Sequence, residues 1–176
     1  LFSFQSYCRS NALSLNPSKC KFLVFRPQSL SHHIINLSID TILLQLVHET
    51  KFLGIIIDDR LKFASQTSLV VSKLSTVSAL LYRCRKFLPL HSLILIFNSL
   101  GRSHITYCSS AYYTHLTSSL KSRIYSKQLK CGRIILGNNL TQSRDVLLSL
   151  HWLSLHNLYL YNSLTLWARQ KQVIPQ

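Results

Sequence analysis

Few residues in this chain are of types and spacings that could do chemistry. Two-metal phosphoryl transfer needs carboxylates that converge from separate elements on a pair of divalent ions. The only adjacent acids are Asp58 and Asp59, after the apolar run Ile55-Ile56-Ile57 in a hydrophobic-x-Asp-Asp pattern. Asp40, Glu49 and Asp145 are the remaining acids, a thin supply for a third ligand. The pair reads better as a strand end whose carboxylates cap the next segment of chain. Structural zinc takes four Cys or His ligands in close pairs. Here the nearest groups are His32-His33, then His48, with Cys8 and Cys20 twelve apart, so no metal site is expected. Ser and His are too abundant for a triad to be read from their presence. With only four Gly in the chain, no glycine-rich phosphate loop exists.

Composition is more informative than any of these. The chain has 176 residues, enough for one domain or two small ones sharing a core. Apolar residues make up 47% and charged residues 14%, so long disorder is not expected. Twenty Lys and Arg against five Asp and Glu give a net charge of +15, which favours polyanions such as nucleic acid or an acidic membrane. The five cysteines (Cys8, Cys20, Cys84, Cys108, Cys131) are an odd set without a C-x-x-C pair, and read as free thiols in a reducing compartment. No signal peptide is visible. The chain opens on Leu1 and contains no Met, which points to a piece of a longer product.

Charge and periodicity change together along the chain. Residues 67–136 carry ten basic side chains and no acid, and no carboxylate lies between Arg60 and Arg144. A solvated helical surface mixes both signs, so this half is expected to face a polyanion. Its cations Lys73, Arg83, Arg85 and Lys86 are candidate nucleic-acid contacts. Between Lys19 and Asp59 the chain reads as short strands: Lys19–Arg26 closed by Pro27, then Ile34–Ile39 and Ile42–Val47 flanking a turn at Asp40-Thr41, then Lys51–Asp58 with Gly54 at a bend. Beyond Phe63 the period turns helical. Val70, Val71, Leu74, Val77, Leu80, Leu81 and Cys84 fall at i, i+3, i+4 and i+7 spacing. Pro89 opens a second helix to about Leu100, and further helices are expected over 103–116, 118–136 and 144–170. The fold class is therefore α+β, a small antiparallel sheet followed by a basic helical bundle. The organisation is residues 1–62, 63–136 and 137–176.

Within 118–136, a helical wheel gathers Arg123, Lys127, Lys130 and Arg133 on one side. Leu120, Ile124, Leu129, Cys131, Ile135 and Leu136 lie opposite, and Ile134 is out of place. The face contains no Glu, which favours a phosphate-tracking stripe over an ordinary solvated face. Val146–Ala168 lacks formal charge over a length that could span a bilayer. It holds eight polar side chains, Ser149, His151, Ser154, His156, Asn157, Asn162, Ser163 and Thr165, so lipid is a poor environment for it and no membrane partner is expected.

Several stretches carry a resemblance. Asn11-Ala-Leu-Ser-Leu-Asn-Pro-Ser-Lys-Cys20, followed by Phe22 to Phe25, resembles the L-N-x-x-K-[TC]-x-x-x-x-F segment of reverse transcriptases from LINE-like (non-LTR) retrotransposons. Lys51-Phe-Leu-Gly-Ile-Ile-Ile-Asp58 resembles the K-F-L-G-x-x-[IL]-D strand that comes next in that family. His104-Ile-Thr-Tyr-Cys108, Gln128-Leu-Lys-Cys-Gly-Arg-Ile-Ile135 and Leu150-His-Trp-Leu-Ser-Leu155 resemble its downstream helical segments. The order and spacing agree over most of the chain. Tyr112-Tyr113 stands where a Trp is common, and Ser154 where Pro often follows Trp-Leu.

The resemblance implies the end of a polymerase palm over residues 1–62, with Lys51, Phe52, Leu53 and Gly54 in a primer-grip hairpin, and a thumb from residue 63 onward. Lys19 would sit where a basic side chain assists the leaving pyrophosphate, and Gly54 would let backbone approach the primer end. The implied partners are an RNA template, a DNA primer and the N-terminal half of the polymerase. The parent would use Mg²⁺; this stretch itself would hold no cofactor. The family's Tyr/Phe-x-Asp-Asp pair precedes the L-N-x-x-K segment, whereas Asp58-Asp59 follows Lys19, so the chain by itself is expected to be inactive. The implied setting is intracellular, nucleus or cytoplasm. Two other readings stand beside it: a non-catalytic basic nucleic-acid-binding module, and a helical membrane or protein-interaction segment built around 144–170.

Overall fold

A computed structural model describes residues 2–25, 35–39, 42–137 and 142–173. The chain is mixed α and β, mostly helical, and divides after Leu61 into two compact units.

The first unit begins with helix α1, Phe2–Ser10, which sequence periodicity did not predict. The helix is closed by local chemistry. Asn11 Nδ2 donates to the Tyr7 carbonyl at 2.8 Å, and Ala12 turns left-handed. The N–H of Leu13 then reaches back to the Cys8 carbonyl and that of Ala12 to Arg9, the paired bonds that satisfy orphan carbonyls at a helix end. A 3₁₀ turn, Pro17–Lys19, comes next, capped by Asn16, whose side chain accepts from the Ser18 N–H.

The expected single antiparallel sheet is three separate two-stranded ladders among the described residues. Strand β1 (Lys21–Phe22) pairs parallel with β4 (Gln45–Leu46); β2 (Ser38–Ile39) pairs antiparallel with β3 (Ile42–Leu43). These strands are two residues long, and Ile42, Leu43 and Leu46 are exposed, so they have no common face to bury. The expected closing of the first strand at Pro27 and the turn at Asp40-Thr41 lie outside the described residues. The fourth expected strand is a hairpin. Strand β5 (Glu49–Phe52) pairs with β6 (Ile55–Asp58) in the register Phe52↔Ile55 to Glu49↔Asp58. Leu53 and Gly54 form the two-residue turn with φ of 45° and 88°. Positive φ at both central positions matches the turn whose twist suits two strands.

The second unit is a helical bundle. Helix α2, Ala64–Cys84, buries Val70, Leu74, Val77 and Leu81 along one stripe, as its spacing predicts. Helix α3, Leu90–Ile96, runs on as a π-helix over Phe97–Arg102 and then as α4, Ser103–Thr106. The expected helix 103–116 is broken. Cys108 turns to φ 51°, and a short α5, Ser109–Tyr112, leads into a 3₁₀ turn at Tyr113–His115. Helix α6, Ser118–Ile135, opens on Thr117, whose hydroxyl accepts the Leu120 N–H.

The expected helix 144–170 is two: α7, Ser143–Ser149, and α8, Leu155–Val173. The break has a tertiary cause. His151 adopts φ 52° and Trp152 turns inward to stack on Phe97, with ring centroids 3.9 Å apart. The buried amide of Gln128 holds the link by donating from Nε2 to the Leu153 carbonyl at 2.9 Å. The uncharged stretch Val146–Ala168 is thus divided between two helices. No helix among the described residues is long and apolar enough to cross a membrane.

Helix α7 lies close against α6 because position 132 has no side chain. A Cβ on Gly132 would stand 2.6 Å from Val146 Cγ1 and 3.1 Å from Leu150 Cδ1. Alanine favours a helix interior over glycine by about 1 kcal/mol, whereas overpacking costs about 1–3 kcal/mol. Overpacking wins at this site. Gly132→Ala is expected to destabilise the protein by about 1 kcal/mol, read as a lower denaturant midpoint; an unchanged or higher midpoint would contradict the close α6–α7 contact.

Candidate nucleic-acid interface

Helices α2 and α6 pack against each other and run in the same direction. Arg123 Nη2 reaches Ser68 Oγ at 3.4 Å near the start of both, and Cys131 Sγ approaches the Leu74 carbonyl at 3.8 Å two turns on. Beyond that seam the helices leave a groove of about 770 Å³. One wall is Ser75, Ser78, Ala79, Tyr82 and Arg83 of α2; the other is Ser126, Lys127, Lys130, Arg133 and Ile134 of α6. The α2 wall is low because three of its residues are small. The hydroxyls of Ser75 and Ser78 turn back onto the Val71 and Ser75 carbonyls, at 2.8 and 3.1 Å. Four cations line the groove, and no carboxylate is among the described residues that do so.

The expected contact residues divide by position. Arg83, Lys127, Lys130 and Arg133 come together in the groove, and Arg123 continues the α6 row toward α2. Lys73, Arg85 and Lys86 are not part of the lining. Lys73 is exposed on α2, Arg85 lies over the Tyr82 ring at 4.5 Å, and Lys86 is exposed in the turn after α2. Lys19, Lys51, Phe52, Leu53 and Gly54 belong to the first unit, all exposed, the last four on the β5–β6 hairpin. Ile134, out of place on the helical wheel, is buried as part of the groove wall. Gln128 escapes a reading by periodicity because an amide does not look like core, yet it is almost wholly buried.

The two adjacent acids make separate local contacts. Asp58 ends β6, and its Oδ1 accepts the Arg60 N–H at 3.1 Å, while Asp59 Oδ2 faces His48 Nδ1 at 2.9 Å. Each carboxylate thus serves the chain around it. No group of three or more His, Cys, Asp or Glu among the described residues could hold a metal ion, so the Mg²⁺ implied for a parent polymerase has no fitting donor set among them.

No family model, no curated protein and no solved structure matches this chain. The capacity of the groove therefore has to come from its own chemistry. Four cations projecting from two rigid helices can meet phosphates spaced along a backbone, a contact that fixes position without reading sequence.

Behind the cations, α6 buries Cys131. Burial pushes its thiol from an ordinary 9.0 up to about 12; the charges of Lys127 and Lys130 pull the other way and lose. Burial likewise raises Tyr112 from 10.0 to about 12, with neighbouring Cys108 adding to it. Both groups are neutral in the folded state and ionise more easily when unfolded. Their contribution to stability is complete below 9.0 and is lost as pH rises toward about 12. Denaturant stability is expected to fall over that window, and Cys131→Ala to flatten its lower part. A Cys131 that alkylates in the native protein at about pH 8 as fast as an exposed thiol would contradict its burial.

Proposed function

We propose that this chain binds duplex nucleic acid through the α2–α6 groove, as the palm-end and thumb portion of a retrotransposon RNA-directed DNA polymerase. The observation that carries the binding is the convergence of Arg83, Lys127, Lys130 and Arg133 on one groove with no carboxylate among the described residues that line it. The finer reading is supported by the ordered resemblance of Leu15-Asn16-Pro17-Ser18-Lys19, Lys51–Asp58, Gln128–Ile135 and Leu150–Leu155 to reverse transcriptase segments. In that reading the groove holds the template–primer duplex by its phosphates. The β5–β6 hairpin, with Lys51, Phe52, Leu53 and Gly54 exposed, would meet the primer. A non-catalytic binding module would use the same groove and differ only in what the rest of its protein does.

Counterion release sets the expected behaviour. Each neutralised phosphate on a duplex adds about −0.9 to the slope of log affinity against log salt. Four groove cations then predict a slope of about −3.6 for a short RNA–DNA hybrid. Replacing Lys127 and Lys130 together by Gln should reduce its magnitude by about 1.8. Fluorescence anisotropy across a salt series measures both, and a flat response would sink the reading. With Mg²⁺, deoxynucleotides and a primed template, the chain is expected to extend no primer; chelator-sensitive incorporation would overturn that.

A further inference from the structure

On another side of α6, roughly 120° around the helix from the groove, lies a second cleft that the nucleic-acid reading does not use. Its volume is about 220 Å³. Helix α6 supplies Lys121 and Tyr125, the 3₁₀ turn supplies Tyr113, the link before α8 supplies Ser154, and α8 supplies His156. Two of the lining rings, Tyr113 and His156, belong to a cluster completed by Tyr159 behind the cleft. Tyr113 stacks on Tyr159 with centroids 4.6 Å apart and planes at 21°, and His156 stands 6.1 Å from Tyr113 and 6.4 Å from Tyr159. Lys121 Nζ lies 4.6 Å from the centroid of the Tyr113 ring. No carboxylate is among the described residues that line the cleft.

A rigid aromatic wall stacks planar π-systems, and an ammonium at its edge pairs with an anion. The volume is below the about 300–1,000 Å³ of sites that take drug-sized molecules, which limits the occupant to about one ring system and one anionic group. We propose that this cleft binds a single unstacked nucleobase together with its phosphate, supplied as a free mononucleotide or as one nucleotide of a single strand. Tyr125 and His156 would flank the base, and Lys121 would leave the Tyr113 face to pair with the phosphate. Base–aromatic stacking and a charge-assisted contact each add to affinity, so the ring and the cation both contribute. The proposal stands apart from the groove and survives or fails without it.

The test is equilibrium dialysis of the full chain against AMP, adenosine, inorganic phosphate and a short single-stranded oligonucleotide, with circular dichroism to show that each variant is folded. Saturable AMP binding is expected, with adenosine and inorganic phosphate each at least ~10-fold weaker. Lys121→Gln and Tyr125→Leu should each weaken AMP ~5-fold or more. Tighter binding of the oligonucleotide than of AMP, lost in the same two variants, assigns the occupant to a strand. Equal binding of AMP and oligonucleotide assigns it to a free mononucleotide. The proposal is overturned if AMP does not bind saturably, if inorganic phosphate binds as well as AMP, or if folded Lys121→Gln and Tyr125→Leu bind AMP like the parent chain. Failure of duplex binding in the groove would leave these outcomes as they are.

Discussion

The apolar seam between α2 and α6 governs the helical unit, because the basic groove is set by how these two helices meet. Leu74 and Leu81 on one side and Ile124 and Cys131 on the other are essentially out of solvent. Each fully buried side chain of this kind is worth about 1.5–3 kcal/mol relative to exposure. Two unit charges 4 Å apart in water interact by about 1 kcal/mol. A few buried leucines therefore outweigh the repulsion among solvated cations along the same helices. That margin lets an acid-free row of Lys and Arg persist where a marginal helix pair would need carboxylates to relieve it.

Helix α6 divides its circumference among three tasks. One face packs on α2, and Gly132 brings α7 close on the same apolar side. The second face lines the groove, and the third walls the aromatic cleft. Gln128, buried between these tasks, ties α6 to the link between α7 and α8 through the Leu153 carbonyl. The stack of Phe97 on Trp152 braces the same link from the π-helical segment, where Gly101 leaves room for the Phe97 ring. The positions of Ser154 and His156 in the cleft are set by where that link places the start of α8.

The first unit is organised by local hydrogen bonds more than by a shared core. Asn11 and Ala12 end α1, Asn16 caps the turn before Lys19, and Leu53-Gly54 reverse the chain between β5 and β6. Asp58 is spent on the turn after β6, and Asp59 on His48. For Asp58, which ends β6 and accepts the Arg60 N–H, this is the strand-end role that the spacing suggested.

The sequence by itself determined the charge asymmetry, the change from strand-like to helical period near Phe63, and the α2 stripe of Val70, Leu74, Val77 and Leu81. It also placed Lys127, Lys130 and Arg133 on one face of α6. All of these depend on periodicity or on counting, which neighbours in sequence settle. Tertiary structure alone decided the rest. Arg83 joins the α6 cations only because two helices cross at one angle. Ile134 makes sense as a groove wall only once α2 is present beside it. The helices expected over 103–116 and 144–170 break at Cys108 and near His151, where backbone strain is accepted so that Tyr112 and Trp152 can be packed inward. Short ladders replaced a continuous sheet because two-residue strands with exposed Ile42, Leu43 and Leu46 had no common face to bury. Tyr113, Tyr125 and His156 became one cleft for the same reason: residues far apart in sequence meet only where burial elsewhere has already fixed the chain.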